Sequence, residues 1–168
     1  MNKGPVQIII QFVVLVLLQL LLFNNIRFSG FINPYVYVLF FILLPFDFSG
    51  SLMLVLGLAM GLILDLFMGT PGAHSLATVL IAFVRPGVMK LIAPHDGYDL
   101  NTLPRVSQMG LIWFVRYAAI IIVIHHLVLF YAEVFSFSHF FFTLLKAILS
   151  SVFTLAFIVL SQFFVFRN

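Results

Sequence analysis

Long, uninterrupted apolar runs constrain this chain more than any other feature of its sequence. They are separated by shorter segments that are richer in polar residues. A helix needs about 20 such residues to cross the hydrocarbon core of a bilayer, and only helices and closed barrels can satisfy their backbone hydrogen bonds there. The runs do not alternate between apolar and polar residues as barrel strands do. The sequence therefore predicts an all-α integral membrane protein.

Composition agrees and excludes several functions. Of 168 residues, 64% are hydrophobic and only 8% are charged, so the chain has too little polar surface to dissolve as a globule. The chain has no cysteine, which excludes disulfides, thiolate metal sites and a cysteine nucleophile. The net charge of +3 is spread along the chain without a polybasic cluster, so we expect the lipid bilayer, and no nucleic acid, as its surroundings.

We predict a single domain, residues 1–168, with six transmembrane helices. Their approximate bounds are 5–23, 31–46, 51–67, 72–93, 109–135 and 140–166. The second is short for a bilayer crossing, so either it includes part of the preceding loop or it is irregular and packed inside the bundle. Pro86, between Arg85 and Gly87, predicts that the fourth helix kinks or ends there.

Six crossings place both termini on one side of the membrane. The side richer in lysine and arginine is expected in the cytoplasm. That side carries Lys3, Lys90, Arg105 and Arg167 with the long polar loop, whereas the opposite side carries Arg27 and Glu133. We therefore expect cytoplasmic termini and an outward-facing turn between the third and fourth helices.

This turn joins the two most informative helices. Gly57, Gly61 and Asp65 recur every four residues and share one helix face, where the glycines form a small-xxx-small groove that another helix can approach. Asp65 is either a functional or partner-binding acid or one that caps the turn. Proline and glycine at residues 69–72 break the helix. From the depth of each residue below the turn, Asp65 and His74 can reach each other.

Other polar residues within the spans suggest structural pairs. Arg85 lies too deep for Asp65 but could pair with Asp47, and His126 shares a helix face with Glu133. A zinc site from Asp65, His74, His126, Glu133 and His139 is disfavoured, because no HxxxH or HExxH pair fixes two ligands. No GxSxG elbow is present either. We therefore predict no catalytic residues, no metal and no cofactor.

An ordered set of short motifs resembles the MreD family of bacterial rod-shape-determining membrane proteins. The motifs are Asn33-Pro34-Tyr35-Val36-Tyr37, Leu43-Leu44-Pro45-Phe46, Gly61-Leu62-Ile63-Leu64-Asp65-Leu66-Phe67, Thr70-Pro71-Gly72-Ala73-His74 and Arg85-Pro86, followed by Arg116-Tyr117-Ala118, by His125 to Phe130 and by Glu133. Their order spans nearly the whole chain.

The resemblance implies a non-enzymatic component of the cell-elongation machinery in the bacterial cytoplasmic membrane. Its implied partners are the bitopic protein MreC, the filament protein MreB, and the glycosyltransferase and transpeptidase that insert peptidoglycan. It also implies a fold similar to the substrate-binding subunits of energy-coupling-factor vitamin transporters. By motif match, Asp65, Gly72 and His74 are the family-characteristic positions.

Two hypotheses of function follow. In the first, the glycine groove and the outer turn (Gly57, Gly61, Asp65, Gly72 and His74) receive the membrane helix or juxtamembrane segment of an MreC-like partner. The cytoplasmic loop near Asp96 and Asp99 is then available to other components. In the second, the chain is a small-molecule-binding transporter subunit that uses an outer cavity, which requires several convergent polar groups.

Overall fold

The computed structural model describes residues 4–25, 31–98, 102–135 and 139–164, and all regular elements in these ranges are helical. The α-helices are α1 (Pro5–Leu21), α2 (Leu39–Ile42), α3 (Gly50–Met68), α4 (Ala73–Leu91), α5 (Val106–Met109), α6 (Leu111–Val134) and α7 (Phe140–Phe164). Two 3₁₀ turns, Phe23–Asn25 and Val36–Val38, precede α2.

Five of these helices, namely α1, α3, α4, α6 and α7, are long and apolar enough to cross a membrane. Their bounds agree with five of the predicted spans to within about one helical turn. Most of their exposed side chains are large and hydrophobic, which suits contact with lipid. The prediction of an all-helical, multi-pass membrane protein is confirmed to this extent.

The predicted second helix is instead a short and irregular segment. Residues 31–46 contain only the 3₁₀ turn Val36–Val38 and the single α-helical turn α2, and residues 34–45 are all buried. The segment is packed inside the bundle, as one of the two alternatives expects, but the prediction of a second transmembrane helix over residues 31–46 is wrong. We call residues 31–46 the buried segment. It is apolar on every side because protein, and not lipid or water, surrounds it.

The buried segment runs between two ends of the bundle. We name these the hairpin end, where residues 69–72 join α3 to α4, and the loop end, where residues 92–110 join α4 to α6. Tyr37 contacts His74 near the hairpin end, whereas Leu44 contacts Arg85, eleven residues further along α4. Those eleven residues correspond to about 16 Å of helix.

Helices α3 and α4 pack closely at their glycines. A Cβ atom on Gly61 would lie 2.3 Å from Ser75 Cα, and one on Gly57 would lie 3.1 Å from the Thr78 carbonyl oxygen. The Thr78 hydroxyl donates to the Gly57 carbonyl across the same interface at 2.8 Å. Helix α4 then continues past Pro86 to Leu91. Of the two predicted outcomes, a kink or an end at this proline, the end is therefore wrong.

Arg85 fastens the buried segment at the loop end. Its guanidinium donates to the carbonyl oxygens of Leu44 and, at 3.3 Å, Pro45, and its Nε donates to the Tyr117 hydroxyl at 2.7 Å. Asp47 is exposed and forms no ion pair with Arg85. The predicted Asp47–Arg85 pair is therefore wrong. Backbone carbonyls offer the guanidinium its acceptors without burying a second charge.

Aromatic rings close the loop end. Tyr98 stacks on Phe46 with ring centroids 4.2 Å apart, and its hydroxyl donates to the Met89 carbonyl at 2.7 Å. Partial burial raises the pKa of the Tyr98 phenol. Asp96 is exposed beside this cluster, whereas Asp99 lies outside the described residues.

Replacement of Gly61 by alanine tests the α3–α4 contact. We expect Gly61→Ala to lower the free energy of unfolding by about 3 kcal/mol, since the new methyl group meets backbone atoms that cannot turn aside. Gly87→Ala is the matched control, because a Cβ there meets nothing within 4 Å. Unfolding in mixed micelles with increasing dodecyl sulfate measures the unfolding free energy of each variant. Equal stabilities would refute the tight contact.

Replacement of Arg85 by lysine tests the anchor of the buried segment. A single ammonium cannot reproduce the planar fork that serves Leu44, Pro45 and Tyr117, so we expect Arg85→Lys to cost about 2 kcal/mol of unfolding free energy. Arg116 is exposed on α6, and Arg116→Lys should change stability by less than about 0.5 kcal/mol. Similar losses for the two variants in the same unfolding assay would contradict the anchoring role.

Candidate functional site at the hairpin end

Asp65 caps the N-terminus of α4 from the end of α3. Its carboxylate accepts from the backbone N–H groups of His74 at 2.9 Å and Ser75 at 3.0 Å. It also accepts from the hydroxyls of Thr70 and Ser75, both at 2.6 Å. These donors satisfy the hydrogen bonding of a carboxylate that is only 7% exposed. Its negative charge also lies at the positive end of the α4 dipole, which is a stabilising interaction.

The turn itself requires glycine. Gly69 follows α3 with φ 68°, and Gly72 precedes α4 with φ 82°. Both values are in the left-handed region, which costs glycine nothing because it has no Cβ. Thr70 lies between them and donates to Asp65, so the sequence of this turn and the acid below it form one unit.

Buried aromatic and histidine side chains form a chain of hydrogen bonds below the turn. The Tyr37 hydroxyl lies 2.7 Å from His74 Nδ1 and 2.7 Å from His125 Nε2. His125 Nδ1 lies 3.4 Å from His126 Nδ1, and His126 Nε2 lies 3.1 Å from the Thr154 hydroxyl. All three histidines are fully buried.

Hydrogen-bond geometry assigns the protons of these rings when each is neutral. His126 Nδ1 lies 2.9 Å from the Ile122 carbonyl and must therefore carry its proton. His125 Nδ1, beside that proton, accepts, so His125 donates from Nε2 to the Tyr37 oxygen. The Tyr37 hydroxyl then donates to His74 Nδ1. His74 is left with its proton on Nε2, which has no hydrogen-bond partner among the described residues.

A cavity of about 290 Å³ opens at the hairpin end, and His74 lines it. Its lining is largely polar and comes from the ends of α1, α3, α4, α6 and α7. The lining residues are Gln19, Phe23, Asn24, Asn33, Pro34, Tyr35, Met68, Thr70, His74, Glu133 and Lys146. Glu133 and Lys146 form an ion pair with N and O 3.8 Å apart, and the Lys146 ammonium lies 4.4 Å from the centre of the Phe130 ring.

The structure separates the five predicted partner-binding residues. Asp65, Gly72 and His74 meet at the hairpin end, as expected from their depth, although Asp65 contacts the backbone of His74 and not its ring. Gly57 and Gly61 lie below them, and α4 already fills their groove. The prediction that this groove receives a partner helix is therefore wrong. Small residues do mark a close helix contact, but the contact lies within the chain.

The suggested pairing of His126 with Glu133 is also wrong. His126 bonds to Ile122 and Thr154, whereas Glu133 pairs with Lys146 of α7. The two residues share a helix face as predicted, but α7 supplies a nearer partner to each. In the described ranges no group of three or more histidine and acidic side chains is placed to hold a metal ion.

Sequence reasoning missed several residues of this site. Tyr37 links two histidines, Gln19 and Thr154 hold the backbone of the buried segment, and Lys146 lines the cavity. Each is a polar side chain in a mainly apolar helix or segment, which is the signal that could have found them. Their partners lie 13 to 119 residues away, so no local pattern in the sequence pairs them.

Replacement of Asp65 by asparagine tests the cap. The amide keeps the shape but presents N–H groups to donors, so we expect a loss of about 2 kcal/mol in unfolding free energy. Asp47→Asn changes an exposed acid in the same way and should be neutral. The dodecyl sulfate unfolding assay compares them. A stable Asp65→Asn variant would mean that the carboxylate does not hold α4.

Comparisons with known proteins do not identify the chain. A scan against protein-family models, a search of the curated proteins and a search of the solved structures each find no match. The MreD resemblance thus stays a prediction from the sequence.

Proposed function

We propose that this chain is a non-enzymatic membrane scaffold of the bacterial cell-elongation complex. In this proposal it lies in the cytoplasmic membrane and binds an MreC-like bitopic protein. An MreB-like filament and the peptidoglycan glycosyltransferase and transpeptidase belong to the same assembly. The chain contributes a rigid helical surface that positions these proteins, and the fold is similar to that of transporter substrate-binding subunits.

One observation carries the proposal: residues of the motifs behind the MreD resemblance contact one another in space. Tyr37 of the first motif bonds to His74 and His125 of two later ones, and Leu44 bonds to Arg85. Asp65 bonds to Thr70 and to His74. These contacts join the motifs into one unit at the centre of the bundle, as the proposed common role of the motifs requires.

In this proposal the chain crosses the membrane six times. The five long helices and the buried segment each run from one end of the bundle to the other. An even number of crossings places both termini on the same side, together with the loop end. The loop end carries Lys90 and Arg105, so this side is assigned to the cytoplasm. The hairpin end then faces the cell exterior. Lys3 and Arg167, which support this orientation in the sequence, and Arg27, which the sequence places on the opposite side, lie outside the described residues.

A recess between α1 and α3 is the surface we propose for the MreC-like helix. It has a volume of about 450 Å³ and is lined mainly by apolar side chains of α1, with Ile63 and Phe67 of α3. Along α1 it extends from Phe12 to Leu21, about 14 Å, which suits an elongated apolar occupant such as a single membrane helix.

Co-purification of an MreC-like protein with the tagged chain in mild detergent tests the function. We expect Leu17→Trp, which fills the recess, to reduce the retained partner at least tenfold by blocking close helix approach. Ile148→Trp is the matched control: Leu17 and Ile148 are both 49% exposed, but Ile148 lies on α7. Failure of any MreC-like protein to co-purify with the unmodified chain would overturn the function. Equal retention of the partner by both variants would overturn the assignment of the recess as its binding surface.

A second candidate function is favoured by the cavity at the hairpin end. Its polar side chains converge from four helices (α1, α4, α6 and α7), from the buried segment and from the turns after α1 and α3, as the binding site of a small-molecule transporter subunit requires. A small molecule that remains bound through purification of the unmodified chain would support this function over the scaffold.

A further inference from the structure

We propose that the cavity at the hairpin end binds a small zwitterion, a molecule the size of an amino acid with one carboxylate and one ammonium group. The inference concerns the isolated chain. It therefore stands whether or not the chain is a scaffold, and it supplies the ligand class for the second candidate function.

His74 provides the first argument. Its ring is fully buried, its Nδ1 accepts from Tyr37, and its Nε2 has no hydrogen-bond partner among the described residues. His74 is also one of the residues that line the cavity. Leaving a buried donor unpaired is costly, so a ligand acceptor there gains more than one at an exposed donor. The order of protons along the Tyr37, His125 and His126 chain makes this nitrogen a donor, and it therefore selects an oxygen acceptor.

Charge provides the second argument. Lys146 and Glu133 line the same cavity, and their ion pair is long at 3.8 Å. A zwitterion can exchange partners with this pair, with its carboxylate on Lys146 and its ammonium on Glu133. The net charge of the site is then unchanged. A ligand with only one charge would add an uncompensated charge at the membrane boundary, which is costly.

Size provides the third argument. A cavity of about 290 Å³ is at the lower limit for small-molecule sites, which extend from about 300 to 1,000 Å³. Its lining contributes the side-chain amides of Gln19, Asn24 and Asn33 and the hydroxyl of Thr70. The Gln19 amide is already engaged by the buried segment. The site therefore suits a compact polar molecule and not an apolar chain.

Four small probes separate the possibilities: L-alanine, propionate, ethylamine and propionamide. Each is titrated calorimetrically into the purified full chain in lipid nanodiscs. We expect alanine to bind with millimolar affinity, at least tenfold more tightly than the other three. No binding of alanine, or binding of a singly charged or neutral probe as tight as that of alanine, would overturn the proposal.

Variants then locate the site. Lys146→Met, Glu133→Gln and His74→Asn should each weaken alanine binding at least tenfold, because each removes one partner of the ligand. Asparagine can still accept from Tyr37 with its side-chain oxygen but has no donor at the Nε2 position. Lys90→Met and Asp47→Asn, which change exposed charges elsewhere, should leave the affinity unchanged. Unaltered binding by the Lys146 and Glu133 variants, which are partly exposed and should fold, would overturn the assignment.

Discussion

The structure depends on satisfying the backbone of the buried segment. A helix or a strand pairs its own N–H and C=O groups, but residues 31–46 form only one 3₁₀ turn and one α-helical turn inside an apolar bundle. Each unpaired backbone group there would cost several kcal/mol, of the order of 2–7 kcal/mol by transfer measurements. The chain meets this constraint with side chains from three long helices. Four buried polar residues bond directly to this backbone, namely Gln19, Arg85, Ser150 and Thr154.

The donors and acceptors are distributed along the length of the buried segment. At the hairpin end, Gln19 of α1 donates to the Pro34 carbonyl and accepts from the Val36 N–H, while Thr154 of α7 accepts from the Tyr35 N–H at 3.0 Å. At the loop end, Arg85 of α4 donates to the carbonyl oxygens of Leu44 and Pro45. Polar residues in membrane spans often mark function. Gln19, Arg85 and Thr154 instead hold together the interior of the bundle.

The sequence predicts an interaction of this structure well when its partners lie close together along the chain, and poorly when they lie far apart. Helical periodicity and turn residues are local, so the five long helices and the turn between α3 and α4 are predictable to within about one turn. The reach of Asp65 to His74 is also local, since a nine-residue separation across a tight turn leaves few arrangements. The partner of Arg85 is not local. Its depth below the turn favours Asp47 as a partner, but the guanidinium is buried beside an irregular backbone and donates to the carbonyls of Leu44 and Pro45.

The same distinction explains the glycines and the cavity. Gly57 and Gly61 correctly predict a close helix contact, but composition cannot say whether the neighbour belongs to the same chain, and α4 is held there by the short turn. His74 then has its backbone N–H fixed by Asp65 and its Nδ1 fixed by Tyr37. With both restraints in place the ring cannot turn its Nε2 toward another protein group. The interactions that stabilise the fold thus also determine which nitrogen of His74 is left without a hydrogen-bond partner among the described residues.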